Sequence, residues 1–163
     1  MDIRILEKHC DTLAESLQYP SQKRHHLSFA LKLSCVKGHI FFHSGLEAVG
    51  RAMTDAVHTH YLFTRGYHTE KEISAALQRF ARKHTVVKLA KACKLQNFIY
   101  NNDTFYQDAE DNSTFPVDQE ETLVYRIVGA MYYDAGYEAM KDWIINHLGI
   151  RALKKEGSIE GTK

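Results

Sequence analysis

Two short stretches decide the fold of this sequence, Leu46-Glu-Ala-Val-Gly-Arg-Ala52 and Ile127-Val-Gly-Ala-Met-Tyr-Tyr-Asp-Ala-Gly136. The first follows Ser44, which forms with Glu47 three residues later the pattern of a capping box. In a capping box, the serine hydroxyl and the glutamate carboxylate each accept a hydrogen bond from an amide at the helix start. We therefore predict a long helix from Ser44 to about Phe63.

The second stretch lies within another predicted helix. Pro116 and Asp118 are residue types that favour a helix start, and an apolar period of 3.6 residues continues from there to about Asp134. Gly136 interrupts the pattern, so we expect a separate last helix that continues to about His147.

The rest of the chain also shows the helical period, and a second capping box opens at Thr69. These patterns predict four further helices, at residues 3–17, 27 to about 38, 69–80 and 85–95. The link Gly38 to Phe42 and the acidic segment Asn101 to Phe115 lack the period, and we interpret the acidic segment as an exposed loop. No strand alternation of useful length is found, so the sequence predicts an all-α fold.

The length of 163 residues fits one domain, which we place at residues 1–149 with a flexible basic tail at 150–163. Lys and Arg number 21 against 20 Asp and Glu, a formal charge of +1 that is far from the balance of a dedicated nucleic-acid-binding protein. Any contact with RNA must therefore be local. No apolar run approaches the length of a membrane span, and early acidic residues argue against an uncleaved organelle presequence.

The two quoted stretches resemble the signature helices of ribonuclease III domains. Leu46–Ala52 is similar to the family's Leu-Glu-Phe-Leu-Gly-Asp-Ala, and Ile127–Gly136 is similar to its Leu-Ile-Gly-Ala-Ile-Tyr-Leu-Asp-x-Gly. Residues 69–73 and 88–95 look like the helix pair that the family has between these signatures. The resemblance covers about residues 27–148 and implies a helical fold like that of the ribonuclease III endonuclease domain.

The chemistry that the resemblance implies is altered in this sequence. Active family members cleave double-stranded RNA with Mg²⁺ held by four carboxylates, two on each signature helix. The aligned positions here are Glu47, Arg51, Thr122 and Tyr125, so one carboxylate of the four is retained. Because Mg²⁺ requires oxygen ligands, we expect a pseudoenzyme that holds no metal and no other cofactor. The ten histidines are expected to be ordinary surface or core residues, since none is arranged in a metal-binding motif.

Local basic residues offer a place for RNA contact. The candidate RNA-binding residues are Arg79, Arg82, Lys83, Lys88, Lys91 and Lys94. Such a cluster is either an ordinary solvated face or a set of phosphate contacts.

Ribonuclease III domains act as dimers, so the resemblance also implies a partner surface. We assign the candidate interface to Phe41, Phe42, Leu46, Val49 and Met53. One of the two adjacent phenylalanines is expected to enter a pocket of the partner. A second set of aromatic residues is either core or part of a subunit interface: Tyr132, Tyr133, Tyr137 and Trp143.

Catalytically degenerate members of this family are structural proteins of the mitochondrial ribosome's large subunit. The sequence therefore predicts such a protein, pairing with a second ribonuclease III-like protein as a homo- or heterodimer and contacting ribosomal RNA. Its expected location is the mitochondrion, or otherwise the cytoplasm or nucleus. Two alternatives stay open: an inert dimer partner in another RNA-processing complex, and a Mg²⁺-dependent endonuclease of double-stranded RNA with unusual ligands.

Overall fold

A computed structural model of the chain describes residues 2–36, 39–42, 44–101, 104–105 and 120–155, and between residues 34 and 44 it describes the backbone alone. The described residues form seven α-helices, which are α1 Ile3–Leu17, α2 His25–Ala30, α3 Ser44–Thr64, α4 Glu70–Ala81, α5 Thr85–Ala92, α6 Glu120–Ala135 and α7 Tyr137–His147. Short 3-10 helices cover Leu95–Phe98 and Ile150–Ala152. The strands are β1 Lys32–Val36, β2 His39–Phe42, β3 Tyr100–Asn101 and β4 Thr104–Phe105.

The centre of the fold is the crossing of α3 and α6. A Cβ atom added at Gly50 would lie 1.7 Å from the carbonyl oxygen of Tyr125, and one added at Gly129 would lie 2.1 Å from that of Leu46. Both positions therefore require glycine for the helix backbones to come this close. This close approach places the two signature stretches directly against each other.

The predicted helices are confirmed in their order and mostly in their bounds. Thr69 caps α4 as expected, since its Oγ1 accepts a hydrogen bond from the amide of Glu72 at 3.1 Å. Helix α5 is shorter than predicted and ends at Ala92, because Lys94 adopts a left-handed conformation with φ 51° and a 3-10 turn follows. The expected start at Pro116 lies outside the described residues, which resume with α6 at Glu120.

A small sheet was not foreseen. The helix predicted from residue 27 to about 38 ends at Ala30, and the chain continues as β1, which pairs antiparallel with β2 and parallel with β3 in the order β2-β1-β3-β4. Leu33, which fitted the helical period, is instead fully buried from a strand. The segment predicted as a loop from Asn101 begins in β3, while residues 102–103 and 106–119 lie outside the described part.

The predicted flexible tail is packed over its first residues. Ile150 is fully buried in a second core cluster with Leu62 and Tyr67. Further on, the Nζ of Lys155 donates to the carbonyl of Gly66 at 2.7 Å and lies 3.3 Å from a carboxylate oxygen of Glu72. The prediction of a flexible segment is wrong for residues 150–155, because the buried side chain of Ile150 holds their start against the core. Residues 156–163 lie outside the described part.

A buried carboxylate near the end of α6 orders the start of α2. Asp134 accepts hydrogen bonds from the hydroxyl of Tyr19 at 2.8 Å, from the amides of His26 and Leu27 at 3.3 and 3.2 Å, and lies 2.8 Å from His26 Nδ1. These amides belong to the first turn of α2, where helix geometry leaves them without an intrahelical acceptor. We call Asp134, Tyr19, His26 and Leu27 the Asp134 network.

Candidate functional site

The α3–α6 crossing brings together three of the four positions that the resemblance aligns with metal ligands. Arg51 donates from Nε and Nη2 to the same carboxylate oxygen of Glu47, at 3.2 and 3.1 Å. Its guanidinium carbon also lies 4.4 Å from the centre of the Tyr125 ring on α6. Thr122 is half-buried one turn earlier on α6. The position of one expected carboxylate is thus filled by a cation that bridges both helices.

A second arginine at this site was missed from the sequence. Arg126 on α6 has no solvent-exposed surface. Burial lowers the pKa of its guanidinium to about 9, and the nearby carboxylate of Glu47 opposes this by raising it. A cation between the apolar Val124 and Ile127 in a core helix was the available signal, because arginine is rarely buried without a specific reason. We call Glu47, Arg51, Tyr125 and Arg126 the Arg51 cluster.

Tyr125 presents a protonated phenol to this cluster. Burial, and after it the negative charge of Glu121, raises the pKa of its hydroxyl to about 12. The hydroxyl donates to a carboxylate oxygen of Glu121 at 3.5 Å. At neutral pH the side chain is therefore an uncharged hydrogen-bond donor with an aromatic face. It provides the negative face of a ring to the Arg51 cation, a contact worth about 0.5–1 kcal/mol at a partly exposed site.

The ion pair between Glu47 and Arg51 is a modest contribution to stability. The Arg51 side chain is 43% exposed and that of Glu47 is 23% exposed. A pair at positions i and i+4 with this exposure stabilises a helix by about 0.3–0.5 kcal/mol. Its larger effect is electrostatic, because the charge of Arg51 offsets that of Glu47, the carboxylate among the four positions that the resemblance aligns with metal ligands.

Five of the six candidate RNA-binding residues are exposed around the α4–α5 junction and α5, namely Arg82, Lys83, Lys88, Lys91 and Lys94. Within the described chain, none of these five forms an ion pair, so their charge faces solvent. Arg79 differs from them. It is half-buried and lines a cavity with Tyr67 and Glu72. Burial raises the pKa of the Tyr67 hydroxyl, and the positive charge of Arg79 opposes this effect. We call the five exposed cations the α5 basic face.

The candidate interface residues differ in their exposure in the structure. Leu46 is only 9% exposed and packs inside the chain against Ala30 and Ala130, so it cannot serve as a surface contact as predicted. Val49 and Met53 are half-buried. Phe41 and Phe42 lie in the edge strand β2, and their side chains lie outside the described part of the chain.

The terminal aromatic residues also divide between core and surface. Trp143 is buried, and its Nε1 donates to the carbonyl of Leu17 at 2.8 Å. Tyr132 is half-buried against the main core. Tyr133 and Tyr137 are 51% and 40% exposed, and the Tyr133 ring stacks on His26. Trp143 is therefore a core residue, whereas Tyr133 and Tyr137 are exposed enough to contact a partner.

Two more properties of the described residues bear on function. No three of their histidine, cysteine, aspartate and glutamate side chains are placed to hold a metal ion. None of their helices is both long enough and apolar enough to cross a bilayer.

Comparison with solved structures shows a likeness over almost the whole chain. The nuclease domain of ribonuclease III from Campylobacter jejuni, in a structure concerned with flexibility in its dimer-forming region, has a TM-score of 0.66 and 22% sequence identity, covering 85% of this chain and 95% of that chain. Another structure of that nuclease domain has a TM-score of 0.66 and 21% identity, covering 92% and 97%. No protein-family model and no curated protein matches the chain. The chain thus has the fold of a ribonuclease III nuclease domain, as its two signature stretches predicted.

Proposed function

We propose that this chain is a non-catalytic ribonuclease III-like protein of the mitochondrial large ribosomal subunit, where it pairs with a second ribonuclease III-like protein and contacts ribosomal RNA. One observation carries the loss of catalysis. Arg51 lies beside the α3–α6 crossing, paired with Glu47 and stacked on Tyr125. A guanidinium at this position would repel divalent metal ions.

The residues of the Arg51 cluster do not fit Mg²⁺. Glu47 supplies the one carboxylate among the four aligned positions, and Arg51 and Arg126 bring two positive groups close to it. Tyr125 keeps its proton at neutral pH, because its pKa is raised to about 12. Mg²⁺ is bound by anionic or carbonyl oxygens in near-octahedral geometry, and neighbouring cations oppose its binding. We therefore assign no metal-dependent step to this cluster.

The α5 basic face supports the proposed RNA contact. Its five cations are exposed and form no ion pair within the described chain, so they are available to phosphates. Each phosphate contact releases counterions from RNA, which makes binding fall as salt rises. Because the formal charge of the whole chain is +1, attraction to RNA must come from a local excess of cations, and the α5 basic face provides one.

The proposed pairing rests on the fold and on two exposed aromatic residues. One of the C. jejuni structures concerns structural flexibility in the region involved in dimer formation of that nuclease domain. In this chain, Tyr133 and Tyr137 are exposed at the end of α6 and the start of α7. Exposed tyrosines are enriched at interfaces, where they bury much area for little loss of conformational entropy.

Two experiments test the proposal. First, the chain should sediment with mitochondrial large ribosomal subunits and remain with them after a wash that removes loosely bound proteins. Recovery with another RNA-processing complex, and not with large subunits, would show that the alternative of an inert partner elsewhere is correct.

Second, the purified chain should leave double-stranded RNA intact in Mg²⁺ and in Mn²⁺. The Arg51→Asp variant should also be inactive, because Thr122 and Tyr125 still leave the second helix without carboxylates. Metal-dependent cleavage by the wild type that disappears in Glu47→Ala would refute the non-catalytic assignment.

A further inference from the structure

A cavity of about 310 Å³ lies next to the Arg51 cluster, enclosed by residues of α3, α4, α5 and α6. It shares Tyr125 and Glu121 with the surroundings of that cluster, and its wall on α3 begins at Thr54, about one helical turn beyond Arg51. We call it the α5 cavity. Its walls combine apolar side chains such as Leu77 and Phe80 with polar groups of three kinds.

The first polar group is the ring of His58. The residue is 3% exposed, and within the described chain its Nε2 has no hydrogen-bond partner. Its ring meets Phe80 edge to face, with centroids 4.9 Å apart. Burial lowers the pKa of His58 to about 4, so the ring is neutral at physiological pH. A buried polar atom of this kind costs free energy unless a ligand or solvent pairs with it.

The second group is the start of α5. His84, which precedes the helix, has a left-handed conformation with φ 51°, and no described side chain caps the helix. The Thr85 hydroxyl is not available for capping, because it donates to the carbonyl of Leu148 at 2.9 Å. The first-turn amides of Thr85, Val86 and Val87, all residues of the cavity wall, have no intrahelical acceptor. The wall therefore offers amide donors to a ligand acceptor.

The third group consists of two carboxylates, those of Asp55 and Glu121. They disfavour a phosphate inside the cavity by repulsion. The cations Arg82, Lys83 and Lys88 are adjacent in the chain to the wall residues Ala81, His84 and Val87, so they favour a phosphate outside the cavity. A bound metal ion is also disfavoured, since the described carboxylates and imidazoles do not group into a metal site.

One ligand class satisfies this distribution of charge. A nucleotide has a flat uncharged base with both donors and acceptors, and an anionic phosphate that stays outside. Carboxylates accept from the amino group of a base, and aromatic side chains pack against base faces. We propose that the α5 cavity binds an unpaired, amino-bearing base of RNA, while its phosphate lies on the α5 basic face. This inference rests on the proposed contact with RNA and adds the part of the nucleotide that is recognised.

The test uses the full chain and titrates it with AMP, CMP, GMP, UMP and ribose 5-phosphate, following backbone amide signals by NMR. The three amino-bearing nucleotides should shift the signals of Asp55, His84 and Val87, and should bind about tenfold more tightly than UMP or ribose 5-phosphate. Equal binding of ribose 5-phosphate would mean that phosphate alone is recognised, and it would overturn the proposal. Absence of shifts at these residues with every nucleotide would overturn it as well.

Variants separate the cavity from the surface. Glu121→Gln should weaken binding of the amino-bearing nucleotides about tenfold and leave the fold intact, because the residue is exposed. His58→Phe should weaken binding by a similar factor, with the thermal midpoint reporting on folding. His60→Phe, an exposed position on the same helix, is the matched control and should bind as the wild type does. Wild-type affinity in both Glu121→Gln and His58→Phe would contradict the proposal.

Sedimentation keeps this inference distinct from the proposed function. A chain that stays with large ribosomal subunits but binds no nucleotide would overturn the cavity assignment alone. A chain that binds amino-bearing nucleotides but fails to sediment with large subunits would support the cavity assignment and overturn the ribosomal one.

Discussion

Two polar regions of helix α6 make opposite uses of charge. In the Asp134 network, one buried carboxylate accepts bonds from a phenol and two amides and thereby fixes α2. At the Arg51 cluster, the α6 position aligned with a carboxylate is Tyr125, and a guanidinium from α3 covers its ring. Thr122, one turn earlier on α6, is likewise a neutral side chain at an aligned position. Helix α6 thus has a carboxylate where it fixes α2, and neutral side chains at the two positions that the resemblance aligns with metal ligands. Glycines at positions 50 and 129 let the backbones of the two helices meet at this crossing.

The crossing itself should give the largest effect. Gly50→Ala would place a Cβ 1.7 Å from the Tyr125 carbonyl and force α3 and α6 apart. We expect the free energy of unfolding to fall by about 4 kcal/mol, measured by urea denaturation. Gly45→Ala, where an added Cβ meets nothing within 4 Å, is the control and should change stability by less than about 1 kcal/mol. Equal effects of the two variants would show that glycine contacts do not hold the crossing.

The Asp134 network should come next. Asp134→Ala leaves the Tyr19 hydroxyl and two first-turn amides of α2 without their acceptor in a buried site. The expected loss is about 3 kcal/mol by denaturant unfolding, with amide exchange accelerated first at His26 and Leu27. Asp142→Asn on the exposed side of α7 should be nearly neutral. If Asp134→Ala were as harmless as this control, the carboxylate would not be structural.

His58 sharpens the contrast between buried polar groups with and without partners. Burial lowers its pKa from 6.5 to about 4, so the unfolded chain takes up the proton first as pH falls. Stability should therefore be complete above pH 6.5 and decrease by up to about 3 kcal/mol as pH falls to 4. His58→Phe should remove this component from a pH series of urea midpoints, and His60→Phe should not. If the stability of wild type and of His58→Phe changed with pH in parallel, His58 would not be the source of the pH dependence.

The Arg51 cluster should show the smallest effect on stability. Arg51→Ala removes a partly exposed ion pair and a cation–π contact, which together predict a loss below about 1.5 kcal/mol. Adding salt should reduce the difference between the two proteins, because exposed charges are screened. Arg65→Ala, which removes the stacking of an arginine on Tyr61 at the end of α3, offers a comparison of similar type. A loss as large as that of Asp134→Ala would give Arg51 a structural role.

The helices and their crossing could be predicted because local signals encode them. Thr69 caps α4 through its own side chain, and Gly136 separates α7 from α6 as its position in the sequence predicts. Arg51, in the first signature stretch, contacts both Glu47 and the ring of Tyr125, which precedes the second stretch. These features depend on residues near one another in sequence, or on motifs whose spacing is fixed by the fold.

The missed features depend on distant parts of the chain. Strand β1 pairs with its neighbour β2 and also with β3, which lies more than sixty residues later, and nothing in Lys32–Val36 alone distinguishes it from a helix end. The sequence predicted Leu46 at the surface, but packing against Ala30 and Ala130 buries it. Burial of Arg126 beside Glu47 likewise results from tertiary packing.

The contact between Trp143 and Leu17 has a consequence for biosynthesis. Its two residues are 126 positions apart, and Tyr19 likewise reaches across 115 positions to Asp134. Helix α1 can contact α2 and residues 95–98 earlier, but the carbonyl of Leu17 cannot pair with Trp143 until α7 has been made. Until then part of its apolar face stays exposed, and such segments are targets for chaperones and proteases. Ribosomes stalled before residue 120 should therefore carry a nascent chain that is readily digested, and those stalled after the end of the coding sequence a resistant one.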